Sequence, residues 1–212
     1  MFLEPKQYEH ILDILKDKIQ PEPLLIELQN WASKELGIEI YEFVCDYAIT
    51  GLLRLTIILW DRDEYKKMFH SGNLDAKKQK KIAVKFAELA RAHNLYREYW
   101  DSKDIFVCYD TVADEIKKHI LENNRTKITE IKHPDIWKIE IIFEGIHVFY
   151  QNDEQIKMHE NDGLSNKIEE MCSGIVKKED IFHAFGKGVK CVFTSRQTLN
   201  EKYHGSMFYY TR

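Results

Sequence analysis

Glycine and proline are scarce, at nine and four in 212 residues. Long flexible linkers are therefore excluded, and loops are expected to be short or charged. Cysteine is scarce too. Cys45, Cys108, Cys172 and Cys191 lie far apart, mostly within apolar segments. A disulfide framework is denser than this, and a zinc ribbon shows a Cys-x-x-Cys pair. The expectation is four reduced, buried thiols in a cytosolic protein.

No excess of positive charge is present. The net charge is −4, which argues against a free-standing nucleic-acid binder, because phosphate neutralisation supplies most of such a protein's affinity. The N-terminus, MFLEPKQYEH, has no basic flank followed by an apolar core, so no signal peptide is expected. The longest apolar run, Gly51 to Asp61, is too short to span a membrane and carries Arg54.

Signatures of catalysis are missing as well. Phe185-Gly-Lys-Gly-Val-Lys190 lacks the Ser or Thr of a phosphate loop and precedes a strand, so it reads as a turn. None of the nine histidines is arranged as in the helical zinc hydrolases, and no Gly-x-Ser-x-Gly occurs. His159, Glu160 and Asp162 form the densest local cluster of metal-ligand types. Their spacing fits no calcium loop, and they read as a solvated loop. Asp61, Asp63 and Glu64 read as a helix cap, Ser195 as an N-cap and Cys108 as a small buried residue. No cofactor, no metal and no catalytic residue is expected, and the chain leans away from being an enzyme.

What is present is ample core. Apolar residues make up 44% and aromatics 12%, enough to exclude disorder. In GLLRLTIILWD, Leu53, Leu55, Ile57 and Leu59 fall on one face of an extended chain. Such a strand is buried on one side and largely covered on the other. Helical spacing marks residues 6–19, 23–36, 61–72, 75–94, 111–122, 152–160 and 164–184. Alternation marks a hairpin over 38–60 and strands at 105–109, 127–131, 137–144, 146–150, 190–194 and 206–211. The fold class is therefore α+β, a mixed or mostly antiparallel sheet with helices packed on it. The natural division is an N-terminal half, 1–110, and a C-terminal half, 111–212. A single compact domain is equally compatible with the pattern.

LRLTIILW at 53–60 matches WKIEIIFE at 137–144, apolar, basic, apolar, polar, then apolar. The strands at 105–109 and 190–194 follow at nearly the same offset. Two pseudo-repeated α-β-β-α-α-β halves are one reading, and chance resemblance between strands is the other.

Two functions remain open. The first is a non-catalytic protein-binding module, of which a bacterial immunity protein occluding a basic toxin or nuclease is one form. Tyr96, Arg97, Tyr99, Trp100 and Asp101 are its candidate contacts, because Trp, Tyr and Arg dominate binding hot spots. The acidic stretches holding Asp153, Glu154, Glu160 and Asp162 would steer a cationic partner. The alternative is an enzyme or sensor holding a nucleotide or small anion in a cleft between the halves, with Arg54, Lys138 and Arg196 as anion ligands. The lysine cluster 77–81 reads as the solvated face of a helix.

Overall fold

The computed structural model describes residues 3–212. Backbone contacts divide the chain into two units, one ending at Ala113 and the other beginning at Asp114. The fold is α+β.

The first unit opens with α1, Pro5–Leu15, and α2, Pro23–Leu36, each with proline in its first turn, where a missing N–H costs nothing. Gly37 closes α2 in the left-handed conformation, at φ +64°. Strands β1, Ile40–Tyr47, and β2, Leu53–Leu59, form an antiparallel hairpin. After it come α3, Arg62–Lys66, the two-residue strands β3, Phe69–His70, and β4, Asn73–Leu74, and then the long α4, Ala76–Ala92. Asp61 caps α3 and Asp75 caps α4, each carboxylate accepting two backbone N–H groups. Two 3-10 turns, Arg97–Trp100 and Ser102–Asp104, lead into β5, Ile105–Thr111, and α5, Val112–Asn123. β5 lies parallel to β2, so the sheet order is β1-β2-β5. A parallel partner needs a long crossover, and α3 to the 3-10 turns supply it.

Leu55, Ile57 and Leu59 face α2 and α4 in one core with Leu24, Leu25, Leu28, Phe86 and Leu89. Each such side chain contributes about 1.5–3 kcal/mol on burial. Thr56 and Ile58 on the opposite face are buried too, so the central strand is covered on both sides, as its composition predicts.

The second unit contains α6, Arg125–Thr129, the hairpin β6, Ile136–Ile142, and β7, Gly145–Tyr150, then α7, Asp153–Asn161, and α8, Leu164–Val176. β8, Cys191–Ser195, α9, Arg196–Tyr203, and α10, Met207–Tyr210, complete it. β8 joins β7 in parallel, giving the order β6-β7-β8.

Several expectations are corrected. Residues 127–131 are not a strand. Leu121, Asn124 and Ile128 are buried at helical spacing, and Asn124 hides this because it is polar. Its amide donates to the Ile120 carbonyl at 3.0 Å and to Glu179 Oε1 at 2.8 Å. Residues 206–211 are not a strand either. Tyr210 turns inward against Phe149, at 5.2 Å between centroids, while Phe208 and Tyr209 stay exposed, which is no alternation. The helix expected to reach 184 ends at Val176, because the Asp180 carboxylate accepts from the Ala184 and Phe185 amides and holds a loop instead. The helix expected over 61–72 is only five residues long; Gly72, at φ +82°, turns the β3–β4 hairpin. In the sheets, β2 is the central strand of the first and β7 that of the second.

Glu42 gives a pH prediction. Its carboxyl sits on β1 in a cleft of about 490 Å³ between α1 and β1. Burial pushes it above its ordinary value of 4.5, against the opposing Phe43 amide and His10. A carboxyl raised in the folded state stabilises most when protonated, and that contribution is lost as pH climbs through the raised value. Glu42→Gln keeps the acceptor for the Phe43 N–H, made at 2.8 Å in the wild type, and removes the buried charge. The variant is expected to gain on the order of 1 kcal/mol at neutral pH. The gain should shrink towards zero by about pH 4. Urea midpoints at the two pH values check this; a gain that grows in acid contradicts it.

Candidate functional site

The best-formed surface feature is the hairpin-turn end of the first unit's sheet. The loop between β1 and β2 is a tight reversal in which Gly51 N–H donates to the Ala48 carbonyl at 2.8 Å and Ala48 N–H to the Leu52 carbonyl at 2.9 Å. Gly51 sits at φ +79°, which a side chain would strain. The reversal leaves Ile49 fully in solvent, at 108% of its reference exposure, with Tyr47 and Leu52 exposed beside it. Register places Leu53 beside Ile105, and the exposed Phe106 stands next to Arg54. Tyr47, Ile49 and Leu52 are thus exposed together at the hairpin turn, while Phe106 is exposed on the neighbouring strand, on the sheet face it shares with Arg54.

The same end is held by the aromatic segment. In a 3-10 turn residues i and i+3 share a face. Tyr96 and Tyr99 accordingly both point inward, joining Phe43 and Phe86 in edge-on and tilted contacts of 5.0–6.5 Å. Tyr99 is 1% exposed, and its hydroxyl meets the carbonyls of Asp46 at 2.8 Å and Arg54 at 2.9 Å. It pins both strands of the hairpin beside the connecting turn. Burial pushes both phenols well above the usual tyrosine range. Tyr99 is therefore core and no contact residue. Tyr96 is half-buried, with its hydroxyl on Glu22 at 3.2 Å. Arg97 and Trp100 share the next face, the guanidinium 6.0 Å from the indole centroid. Trp100 leans on the core and donates Nε1–H to the Leu95 carbonyl at 2.9 Å. Arg97, Glu98, Asp101 and Asp104 are exposed; Asp101 also caps the second turn through the Lys103 N–H.

The remaining expected residues are scattered. Arg54 is bidentate to Asp46, with Nε 2.7 Å from Oδ1, and that pairing raises its affinity for its proton. It is neutralised, not waiting for an anion. Lys138 pairs with Glu140 on its own strand, and Arg196 covers Trp137 at 5.2 Å. Asp153 is occupied by the hydroxyls of Ser195 and Thr198, which hold its carboxyl below the usual carboxylate range. Glu154 and Glu160 are exposed on α7. Asp162 accepts from the Leu164 amide and faces His159.

His159 corrects an expectation: it is not part of a solvated loop but buried, because Asp135, 24 residues away in sequence, approaches its Nε2 at 2.9 Å while Asp162 takes Nδ1. Sequence reading missed this pairing; the His133-Pro134-Asp135 turn is the only local signal for it.

Burial raises the Cys45 and Cys108 thiols, and Cys108 lies 3.1 Å from the Thr56 hydroxyl. Ser195 is buried and caps α9. Among the described residues no helix is long and apolar enough to cross a membrane. No protein-family model matches the chain, and no curated protein and no solved structure matches it.

Proposed function

We propose that this chain is a non-catalytic protein-binding module whose contact surface is the hairpin-turn end of the first unit's sheet. The observation that carries this reading is the exposed apolar hairpin turn of Tyr47, Ile49 and Leu52. Neighbouring large apolar side chains left exposed together are what partner sites show on soluble proteins. Arg97, Trp100 and Asp101 join it on the segment that Tyr99 fastens to the hairpin. The carboxylates of Glu98, Asp101 and Asp104, with the net charge of −4, suit a partner with a basic border around an apolar pocket. A bacterial immunity protein that occludes a basic toxin or nuclease in the cytosol is the concrete form of this proposal.

The test compares the wild type with Ile49→Asp/Leu52→Asp in co-purification from the native host. Both positions are exposed, so the double variant is expected to fold. A protein that elutes with the wild type and is weakened about 30-fold or more by the double variant supports the proposal. No partner at any salt concentration, or equal retention by both forms, overturns it.

A further inference from the structure

A second feature, independent of the hairpin tip, lies in the second unit. His133 and Asp135 flank Pro134 in the turn that enters β6. Ile136 N–H donates to the His133 carbonyl at 3.0 Å and closes that turn; Gln151 N–H donates to the Asp135 carbonyl at 3.1 Å and ties it to the end of β7. His159 comes from α7, whose start is fixed by a capping box between Asn152 and Gln155. Its ring rests on Tyr150, 4.9 Å between centroids, and meets the His133 ring edge-on at 5.5 Å. Three donors from two separate elements are thus held at one point by the backbone around them.

We propose that His133, Asp135 and His159 bind one divalent transition-metal cation of the zinc type, with Asp162 as the carboxylate that orients His159. One ligand atom from each of the three lies within 4.8 Å of the others. His159 Nε2 is 2.9 Å from Asp135 Oδ2, and His133 Nδ1 is 4.0 Å from the same oxygen. Bonds of about 2.0–2.1 Å to a tetrahedral zinc place its donors about 3.3 Å apart. These two separations bracket that value; His133 Nδ1 also accepts the Asp135 N–H at 3.3 Å, a bond it exchanges for the ion.

The outer contact is of the kind metal-bound histidines make. Asp162 Oδ2 is 2.9 Å from His159 Nδ1, while its other oxygen accepts the Leu164 N–H at 2.9 Å. A carboxylate fixed in this way takes the Nδ1 hydrogen and leaves the Nε2 lone pair directed at Asp135 and His133. Donor chemistry selects the ion. Two imidazoles and one carboxylate suit zinc and its neighbours, whereas calcium and magnesium call for oxygen ligands. Exposure is graded: the His159 side chain is 4% exposed, those of His133 and Asp135 are 34% and 30%. The fourth coordination position therefore opens to solvent.

The experiment titrates chelator-stripped full-length protein with zinc chloride alone, by calorimetry, and with cobalt chloride by visible absorption. One saturable site per chain, the intense bands of tetrahedral cobalt and a rise in Tm with zinc are expected. His133→Gln and Asp135→Asn, both on a surface turn, should each weaken zinc at least about ten-fold while keeping the circular dichroism of the wild type. Asp162→Asn should weaken it about 10–100-fold and alter the cobalt spectrum, since it changes how His159 is held. Magnesium and calcium should give no site. Absence of saturable one-to-one binding, or wild-type affinity in both His133→Gln and Asp135→Asn, overturns the proposal and leaves an aspartate–histidine–aspartate bridge. The hairpin-tip reading stands or falls separately.

Discussion

Tyr99→Ala should destabilise the first unit by about 3–5 kcal/mol, the range for emptying a buried aromatic position. Three effects add. The ring leaves the cluster of Phe43, Phe86 and Tyr96, whose centroids lie 5.0–6.5 Å apart. The hydroxyl no longer bridges the carbonyls of Asp46 and Arg54. The hairpin end, already loaded with exposed apolar side chains, loses its internal brace. Tyr99→Phe isolates the second effect and should cost about 1–3 kcal/mol, because it removes a buried hydroxyl that meets two carbonyls. Arg97→Ala, two residues away on the exposed face, should stay within about 0.5 kcal/mol. Trp31, Trp60 and Trp100 report the first unit, and Trp137 alone reports the second. Fluorescence during urea unfolding therefore follows the right transition once Trp137→Phe is the background. A loss below about 1 kcal/mol in Tyr99→Ala would show that the 3-10 segment is a surface flap, contrary to its burial.

The elements that carry this brace were unequally legible. The central strand could be read outright, since a two-residue period of leucine and isoleucine has one physical meaning when no helix-length stripe competes. The caps at Asp61 and Ser195 were equally plain, because a side-chain oxygen before a helix has a local partner. What the pattern cannot carry is direction. Nothing in IFVCY says that β5 runs parallel to β2, and this is settled by the crossover built from α3 and α4. Nor could α6 be read: Asn124 stands where a periodic apolar residue is expected, and only its bonds to Ile120 and Glu179 explain its burial. The α10 segment misled for a different reason, since Phe208, Tyr209 and Tyr210, all of high strand propensity, were overridden by the packing of Tyr210 on His147, Phe149 and Tyr203.

The sites divide in the same way. YREYW announced itself by composition, but composition does not say which side of a 3-10 turn faces in. The i, i+3 geometry sends both tyrosines to the core and leaves Arg97 outward, with Trp100 half-buried against the core edge. The apolar hairpin tip was hidden because Tyr47, Ile49 and Leu52 look like strand residues; the turn at Gly51 makes them protrude. His159 and Asp135 illustrate the limit most sharply. Their contact depends on how α7 packs back on the end of β7, and sequence neighbours say nothing about that.

The corresponding test in the second unit is Tyr150→Ala, again expected to cost about 3–5 kcal/mol. Tyr150 ends β7 wholly buried, stacked on Phe193 at 6.0 Å with an 11° interplanar angle, and its hydroxyl lies 3.1 Å from that of Ser165 on α8. Beneath His159 it is also the floor of the cluster with His133 and Asp135. Truncation removes the stack, the bond to α8 and the surface on which the imidazole rests. Tyr150→Phe keeps the stack and the floor, so it should cost only about 1 kcal/mol, the worth of one hydroxyl bond. The two variants therefore separate packing from polarity, and they bear on the metal site as well. Zinc affinity should fall in Tyr150→Ala, where His159 is free to turn, and hold in Tyr150→Phe. Trp137 fluorescence with the other three tryptophans replaced by phenylalanine follows the transition. Equal stability of the two variants would mean that the ring at 150 is not what joins β7 to α7 and α8.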